Sequence, residues 1–384
     1  MPGTVAGGEE TLLPAFSLDL RSYGLGPKRS LALAAFIKTF RWAELRSLNI
    51  AGCGVPELAM TAITDAIREA GGLEYLDISG NPIRNEKAAK SVAALLEQPT
   101  SLRRLMLQGC SLSAGVAMAL SRRMQDRLAQ IETLCMARNG LGGSGAGEAI
   151  SGLIDGNVSL TEIDLSDNHL GGEQLAMVIE ALAVNSSLRT LDLSWNSFGG
   201  GRVPEALAES LKENQSLTKL ELGYGGLTED SCLRLSEALL RNSGIRYLGL
   251  AGNAIGSCGG QAMLQALETR AEQGSYDVAG VEGEEEGEGS GVESPRRTID
   301  MTFCCFERAA TGGGAMIDRT TSTVVFESIA PNGDYRLDLS NPFDRHVTRQ
   351  LQRLARTQSG KCWLQPKLNK KVREKPVEIW ILYY

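Results

Sequence analysis

The 384-residue sequence predicts an α/β solenoid, in which a short strand and a helix alternate and successive strand–helix units stack on one another. Three observations support this fold class. A pattern of alternating leucines recurs nine times at offsets of 28–30 residues. Apolar residues at helical spacing come after the pattern, for example Leu175, Ile179 and Leu182. Such a unit is too small to bury its apolar face alone, so neighbouring units must cover it.

The repeated pattern has the form L-x-x-L-x-L-x-x-(N/C)-x-L, and we number its positions one to eleven. Repeats one to nine begin at Ala15, Leu45, Leu73, Leu102, Ile131, Leu160, Leu188, Leu217 and Ile245. The sixth copy reads LTEIDLSDNHL, and its alternation of apolar and polar residues predicts a short strand with the apolar side inward. Parallel strands would then line the concave face of the solenoid, and helices would line the convex face.

This pattern resembles the leucine-rich-repeat family, in the long subtype typified by ribonuclease inhibitor and the Ran GTPase-activating protein. The resemblance covers about residues 15–270. It implies that the ninth side chain of each repeat turns inward and bonds to the backbone of adjacent repeats. The residues that we assign to this structural ladder are Cys53, Asn81, Cys110, Asn139, Asn168, Asn196 and Asn253. The two cysteines are therefore interpreted as ladder residues rather than redox or metal-binding groups.

A second series of asparagines precedes the later repeats. Asn157, Asn185, Asn214 and Asn242 each lie three residues before the first apolar residue of the next repeat. Asparagine tolerates the left-handed conformation in which many helices end, so we predict left-handed helix caps at these positions. Three of the four also form N-x-S sequons, which we interpret as a by-product of the cap.

Composition and motifs argue against several kinds of chemistry. The only histidines are His169 and His346, so a histidine-based triad or a multi-histidine metal site is not expected. The run from Gly140 to Gly145 matches G-x-G-x-x-G, but it falls on a strand-to-helix turn of a repeat, and we interpret it as structural. We predict no catalytic residue, metal or cofactor.

The expected partner is a protein. The chain has 39 Lys and Arg against 46 Asp and Glu, and a net charge of −7 disfavours nucleic acid as a partner. The sequence has no secretory signal pattern and no apolar stretch long enough to span a membrane. We therefore expect a cytoplasmic location, with the nucleus and the cilium as alternatives.

The outward positions of the later strands suggest a binding surface. Asp164, Asp192 and Glu221 occupy position five of neighbouring repeats and would form a like-charged row, since parallel strands lie about 4.8 Å apart. Trp195 and Tyr224 occupy position eight, and large aromatics dominate binding hot spots. The predicted partner-binding residues are Glu162, Asp164, Asp167, Asp192, Trp195, Glu221, Tyr224 and Tyr247. The alternative is that these side chains merely cover the strands.

Composition also divides the chain. We predict an N-terminal extension at 1–14, a nine-unit solenoid at 15–270, an acidic Gly/Glu-rich flexible insert at 271–297, degenerate C-terminal capping repeats at 298–356 and a basic tail at 357–384. The stretch 277–293 holds seven acidic residues and no basic one, whereas 345–375 holds ten Lys or Arg and one acid. A solvated tail, a tail folded on the acidic insert, and a tail that touches an acidic partner, nucleic acid or lipid all fit this charge.

Two functions fit the sequence. The first is a non-enzymatic interaction scaffold or adaptor that binds a protein partner, possibly basic in charge, on the concave acidic and aromatic face. The second, implied only by the family resemblance, is activation of a Ran-type small GTPase. No residue of this sequence matches a catalytic residue of the GTPase-activating family.

Overall fold

The computed structural model describes residues 16–39, 45–96, 101–125, 130–276 and 298–300, together with four two-residue strands further along the chain. The structural statements below concern these residues. The predicted N-terminal extension, most of the acidic insert, most of the capping region and most of the basic tail lie outside them.

Strands and helices alternate along the chain as the repeat predicts. The strands are β1 (Phe16–Asp19), β2 (Leu45–Asn49), β3 (Tyr75–Asp77), β4 (Arg104–Met106), β5 (Thr133–Cys135), β6 (Glu162–Asp164), β7 (Thr190–Asp192), β8 (Lys219–Glu221), β9 (Tyr247–Gly249) and β10 (Thr298–Asp300). The helices are α1 (Gly26–Thr39), α2 (Glu57–Ala70), α3 (Glu86–Ala93, continued by a 3-10 turn at Ala94–Leu96), α4 (Ala114–Gln125), α5 (Ala146–Ile154), α6 (Gly172–Val184), α7 (Val203–Glu213), α8 (Glu229–Arg241) and α9 (Gly256–Tyr276). The short strands β11 (Val325–Phe326) and β13 (Trp363–Leu364) pair in parallel, and β12 (Asp334–Tyr335) and β14 (Ile379–Trp380) pair antiparallel.

Strands β1 to β10 form one parallel sheet in chain order, which confirms the predicted α/β solenoid. The register aligns position four of every repeat, so Ile163 pairs with Leu191 and Leu220 with Leu248. Ile299 of β10 continues this series opposite Leu248, after an interval of chain much longer than a repeat. Helix α9 ends at Tyr276, six residues beyond the predicted solenoid end at 270, because the Ala-Glu-Gln run after Arg270 favours helix.

The core lies between the sheet and the helices. The inward leucines of the strands, such as Leu191 and Leu220, are fully buried, and so are the helix residues Leu175 and Ile179 beneath them. Each unit buries its apolar stripe against its own strand and against the next unit. Burial between units is what allows three-residue strands to persist.

Asparagine side chains at position nine connect one repeat to the next. Asn168 is fully buried, and its Nδ2 donates hydrogen bonds to the carbonyls of Leu165 at 2.9 Å and of Met136, in the preceding repeat, at 3.0 Å. Its Oδ1 accepts from the backbone N–H of Asn139 at 2.9 Å. The amide thus satisfies buried backbone groups on both sides of a repeat junction.

Cysteines serve the same position in two early repeats. The Sγ of Cys53 lies 2.8 Å from the carbonyl oxygen of Leu20, and that of Cys110 lies 3.4 Å from the carbonyl oxygen of Ile78. Burial raises the pKa of the Cys110 thiol to about 12 and also raises that of Cys53. Both thiols therefore keep the proton that a donor needs, and neither forms the thiolate that metal binding or nucleophilic chemistry needs.

Repeat eight has no side chain at the ladder position, for a packing reason. A Cβ on Gly225 would lie 2.3 Å from Cδ2 of Phe198, which is among the largest fully buried side chains. The phenyl ring of repeat seven therefore occupies the space that an asparagine would need. The backbone N–H of Gly225 still donates to Oδ1 of Asn253 at 3.0 Å, so the junction remains hydrogen-bonded.

The predicted left-handed caps at the second asparagine series are wrong. Asn185 ends α6 with φ −76° and ψ 132°, which is extended backbone, and Asn214 and Asn242 behave alike. For the fourth, Asn157, the left-handed residue is the preceding Gly156, at φ 67°. These asparagines are selected for their side chains rather than for a left-handed backbone.

Asn185 illustrates what these side chains do. Its Nδ2 donates to the carbonyl of Ile154 in the preceding repeat at 2.7 Å, and its Oδ1 accepts from the N–H of Leu188 at 2.8 Å. The serine of the sequon, Ser187, donates through Oγ to the carbonyl of Asn157 at 2.8 Å. The N-x-S pattern thus belongs to a second set of hydrogen bonds between repeats.

The G-x-G-x-x-G run has a packing explanation as well. A Cβ on Gly142 would lie 2.1 Å from the carbonyl oxygen of His169, so only glycine lets repeat five approach repeat six here. This close approach between two backbones accounts for the glycine without a phosphate or a dinucleotide.

The ladder predicts a stability effect for Asn168→Ala. The change leaves the buried N–H of Asn139 without its acceptor. The carbonyls of Met136 and Leu165 each lose one donor but keep another, from Asn139 and Asn196 respectively. We therefore expect the free energy of unfolding to fall by about 1–3 kcal/mol. Urea denaturation followed by circular dichroism measures the change. His169→Asn, at the exposed neighbouring position, is the control and should change it little. Equal stability of the two variants would contradict a supporting role for the ladder.

Candidate functional site

The acidic row lies on one face of the sheet. Asp164 pairs in register with Asp192, and Asp192 pairs with Glu221, so the three residues occupy equivalent points of adjacent strands. Glu162 and Tyr247 lie on the same face at position three, because side chains alternate along a strand. The structure thus places these five predicted residues on a common surface.

Local backbone geometry explains part of this row. Asp164 Oδ1 accepts a hydrogen bond from the N–H of Ser166 at 3.0 Å, and Asp192 Oδ1 accepts from the N–H of Ser194 at 2.8 Å. Asn49 makes the equivalent bond in repeat two. The backbone N–H groups at positions six and eight donate hydrogen bonds to the neighbouring strand. The N–H at position seven lies between them, and a short carboxylate or amide side chain at position five accepts its hydrogen bond. Sequence reasoning missed this structural role.

A lysine lies within the acidic surface. Burial raises the pKa of the Asp192 carboxyl, and the nearby charge of Asp164 raises it further. Burial also raises the pKa of the Glu221 carboxyl. Lys219 opposes this increase, because its Nζ lies 3.3 Å from Oε1 of Glu221. The same ammonium group lies 5.2 Å from the ring centroid of Tyr247. Lys219 was absent from the predicted set, although its position three is outward in every repeat.

Position eight has a left-handed backbone in all nine repeats. Its residues are Ser22, Gly52, Gly80, Gly109, Arg138, Asp167, Trp195, Tyr224 and Gly252, with φ between 54° and 69°. The backbone turns sharply here, as the 3.3 Å hydrogen bond from the N–H of Cys53 to the carbonyl of Ile50 shows in repeat two. Such a turn favours glycine, which four repeats use.

Repeats five to eight carry larger side chains at this turn. Arg138, Asp167, Trp195 and Tyr224 follow one another, and each holds a backbone conformation that costs on the order of 1 kcal/mol for a residue with a Cβ. Four successive repeats thus depart from glycine at this turn, as repeat one does with Ser22. The Nε of Arg138 lies 3.7 Å from Oδ2 of Asp167, and both side chains are largely exposed.

The two aromatic side chains form one exposed unit. The rings of Trp195 and Tyr224 stack with centroids 4.3 Å apart and planes 10° from parallel, while the residues remain 56% and 39% exposed. Tyr224 lies over Gly252 of the next repeat, where a Cβ would come within 2.3 Å of its Cδ1. The glycine therefore provides the space in which the tyrosine rests, and the stack is fixed before any partner arrives.

No group of three or more His, Cys, Asp or Glu residues suited to holding a metal ion occurs in the described part of the chain. Within that same part, none of the helices combines the length and apolarity that crossing a membrane requires.

A parallel strand and a helix in each unit, joined through buried position-nine side chains, define a leucine-rich-repeat solenoid. Comparison with known proteins agrees with this class. The sequence model of the family described as Leucine Rich repeat matches residues 156–173 and 184–201. Ribonuclease inhibitor of Mus musculus is 27% identical over 226 residues, which cover 59% of this chain and 49% of that protein.

Two further proteins extend the comparison. NACHT, LRR and PYD domains-containing protein 5 of Homo sapiens is 26% identical over 227 residues, which cover 59% of this chain and 19% of that protein. A crystal structure of the leucine-rich repeat-containing protein LegL7 from Legionella pneumophila is 19% identical and covers 66% of this chain and 80% of that one, with a TM-score of 0.44.

The repeat architecture and these matches support a leucine-rich-repeat protein that is similar to ribonuclease inhibitor. The chain spans about half the length of the ribonuclease inhibitors that it matches. These matches indicate no enzyme family, and they agree with a protein whose role is binding.

The half-buried carboxyl of Asp192 predicts a pH-dependent effect of Asp192→Asn. Its raised pKa means that its stabilising contribution is present below the ordinary carboxyl pKa of about 4 and is lost as the pH rises through the folded-state value. Asparagine keeps the acceptor for Ser194 and removes the charge beside Asp164 and Glu221. We expect the free energy of unfolding to rise by roughly 0.2–1 kcal/mol at pH 7 and little at about pH 4.

Urea denaturation at the two pH values measures this difference. Glu162→Gln, exposed at position three of the same face, is the matched control. A gain of equal size at both pH values would show that burial of the charge is not the cause.

The stack predicts a distinct effect of Gly252→Ala. A methyl group there displaces the ring of Tyr224 and also strains a backbone at φ 69°, so we expect a loss of about 1 kcal/mol and an altered near-ultraviolet circular dichroism spectrum. Gly109→Ala is the matched control, since it has φ 64° at the same position with no atom within 4 Å of the added Cβ. It should lose similar stability while leaving the aromatic spectrum unchanged. The same spectral change in both variants would contradict the proposed support of Tyr224.

Proposed function

We propose that this chain is a non-enzymatic interaction scaffold that binds a protein partner on the concave face of repeats five to eight. The observation that carries the proposal is the run of four large side chains held in a left-handed turn, two of which form an exposed aromatic stack. Glycine would hold this backbone conformation at lower cost, so the turn itself does not require these side chains. A binding role accounts for their presence.

Rigidity supports the proposal. Trp195 and Tyr224 hold each other in place, and Tyr224 also rests on Gly252. An anchor that is already ordered loses little conformational freedom on binding, so more of its contact free energy contributes to affinity. Large aromatics with this property are the usual hot spots of protein interfaces.

Charge supports a partner with positive groups. Glu162 is exposed on β6, and Asp164 and Asp192 lie on the same face of β6 and β7. The row is less negative than the sequence alone indicates, because Lys219 lies beside Glu221. We therefore place the attraction for a basic partner at repeats six and seven and not at repeat eight. Among the described salt bridges, Lys219 pairs with Glu221 and not with Glu162, Asp164 or Asp192, although its charge also reaches Asp192.

The name of one relative, ribonuclease inhibitor, describes a protein that acts on another protein. The match spans only half of that relative, so we do not assign its partner to this chain. We carry over only the use of the fold as a binding surface. The cytoplasm is the proposed place of action. Activation of a Ran-type GTPase stays an untested prediction from the resemblance alone.

The proposal predicts the effect of the double variant Trp195→Ala, Tyr224→Ala on partner capture. Loss of two hot-spot residues should weaken binding by at least about 2 kcal/mol, or roughly 30-fold. Affinity purification with quantitative mass spectrometry compares the proteins retained by the wild-type chain and by the variant. A specific partner should be lost from the variant.

Tyr23→Ala is the control, because Tyr23 is an equally exposed aromatic (59%) in repeat one. Unchanged recovery with the double variant would refute the proposed surface, as would equal losses with the control. A separate phosphate-release assay with GTP-loaded Ran-type GTPases tests the alternative, and acceleration above the intrinsic rate would favour GTPase activation.

A further inference from the structure

The aromatic stack has one free face, and its direction is defined. Tyr224 of repeat eight leans over Gly252 of repeat nine, and Trp195, one repeat before Tyr224, stacks on the Tyr224 ring. The indole face that is not covered by Tyr224 therefore looks back toward repeat six. Trp195 is the more exposed member of the pair, at 56%, as this arrangement requires.

Repeat six places a carboxylate next to that face. Asp167 holds the same position eight and the same left-handed backbone as Trp195, one repeat earlier, and neighbouring parallel strands lie about 4.8 Å apart. Its described contact is with Arg138 of repeat five, whose Nε lies 3.7 Å from Oδ2. That distance exceeds a hydrogen bond, and the two side chains are 68% and 43% exposed, so the contact is weak.

A flat aromatic face beside a carboxylate suits one kind of cation best. A guanidinium group is planar and weakly hydrated, so it stacks on an indole while donating two N–H groups to a carboxylate. An ammonium group is a compact, strongly hydrated charge and satisfies only one of these contacts well. The position of Arg138 shows that a guanidinium group can approach Asp167 from the side away from the stack.

We propose that the free face of Trp195 and the carboxylate of Asp167 form a recognition site for an arginine side chain of the partner. This inference rests on the proposed function and specifies the residue that anchors the partner. The arginine stacks on the indole and displaces the weak contact of Arg138 from Asp167. The site thus selects a protein segment with an exposed arginine rather than basic segments in general.

Short peptides test the selection directly. The probes are acetyl-Gly-Gly-Arg-Gly-Gly-amide and the same peptide with lysine or with citrulline, which is planar but uncharged. Saturation-transfer NMR with the full-length chain measures binding of each. We expect the arginine peptide to bind at least about fivefold more tightly than either of the others.

Variants of the chain separate the contributions. Trp195→Ala and Asp167→Asn should each remove the preference for arginine, and Trp195→Phe should retain part of it because a flat face remains. Arg138→Ala should strengthen binding, because it removes a competitor for the carboxylate. Tyr23→Ala is the control and should change nothing.

Equal affinities for the arginine and lysine peptides would overturn the inference, and so would an arginine preference that survives Trp195→Ala. These outcomes are distinguishable from failure of the proposed function. If capture of a partner still depends on Trp195 and Tyr224 while the peptides show no preference, only the arginine site is wrong.

Discussion

Hydrogen bonds from buried side-chain amides across repeat junctions are the interaction on which the rest of this structure depends. Each strand is mostly three residues long and is followed at once by a sharp turn, which leaves peptide groups inside the core. Asn168 and its equivalents bond those groups to the neighbouring repeat. The eighth residue of each repeat adopts a left-handed turn directly before the residue that bonds across the junction, which in repeat eight does so through the N–H of Gly225. The turn beside each junction therefore sets the position of Trp195 and Tyr224.

Two kinds of residue share the proposed binding surface, and they have different origins. The carboxylates of Asp164 and Asp192 accept a backbone N–H of their own turn, a role that Asn49 fills equally well. Their presence is partly a requirement of folding. The aromatic pair has no such role and occupies a backbone that glycine would suit better. The aromatic residues are therefore the more informative sign of function, and the charge around them modifies what they bind.

The repeat spacing alone was sufficient to predict the strands, the helices and the register of strands β1 to β9, because burial sets both the period and the register. It could not reveal contacts between repeats that depend on which way a side chain leans. The support of Tyr224 by Gly252 is of this kind. The prediction at Asn185 was wrong because it rested on the tolerance of asparagine for a left-handed backbone. In the structure the backbone is extended, and the side-chain amide bonds to the preceding repeat. The left-handed turn itself could be predicted from the sequence, because four repeats have glycine at position eight. Trp195 departs from that pattern.

The second series of asparagines, which begins at Asn157, divides the solenoid into two parts. From repeat five onward, side-chain amides join neighbouring repeats at both ends of the strand. Ala70, at the corresponding point before repeat three, has no side-chain amide. In a stack where each unit contacts only its neighbours, stability follows the local junctions. Amide hydrogen exchange should then be fastest in the first repeats, which open as a separate unit. The aromatic surface belongs to the slowly exchanging half, so a partner could remain bound while the N-terminal repeats unfold and refold.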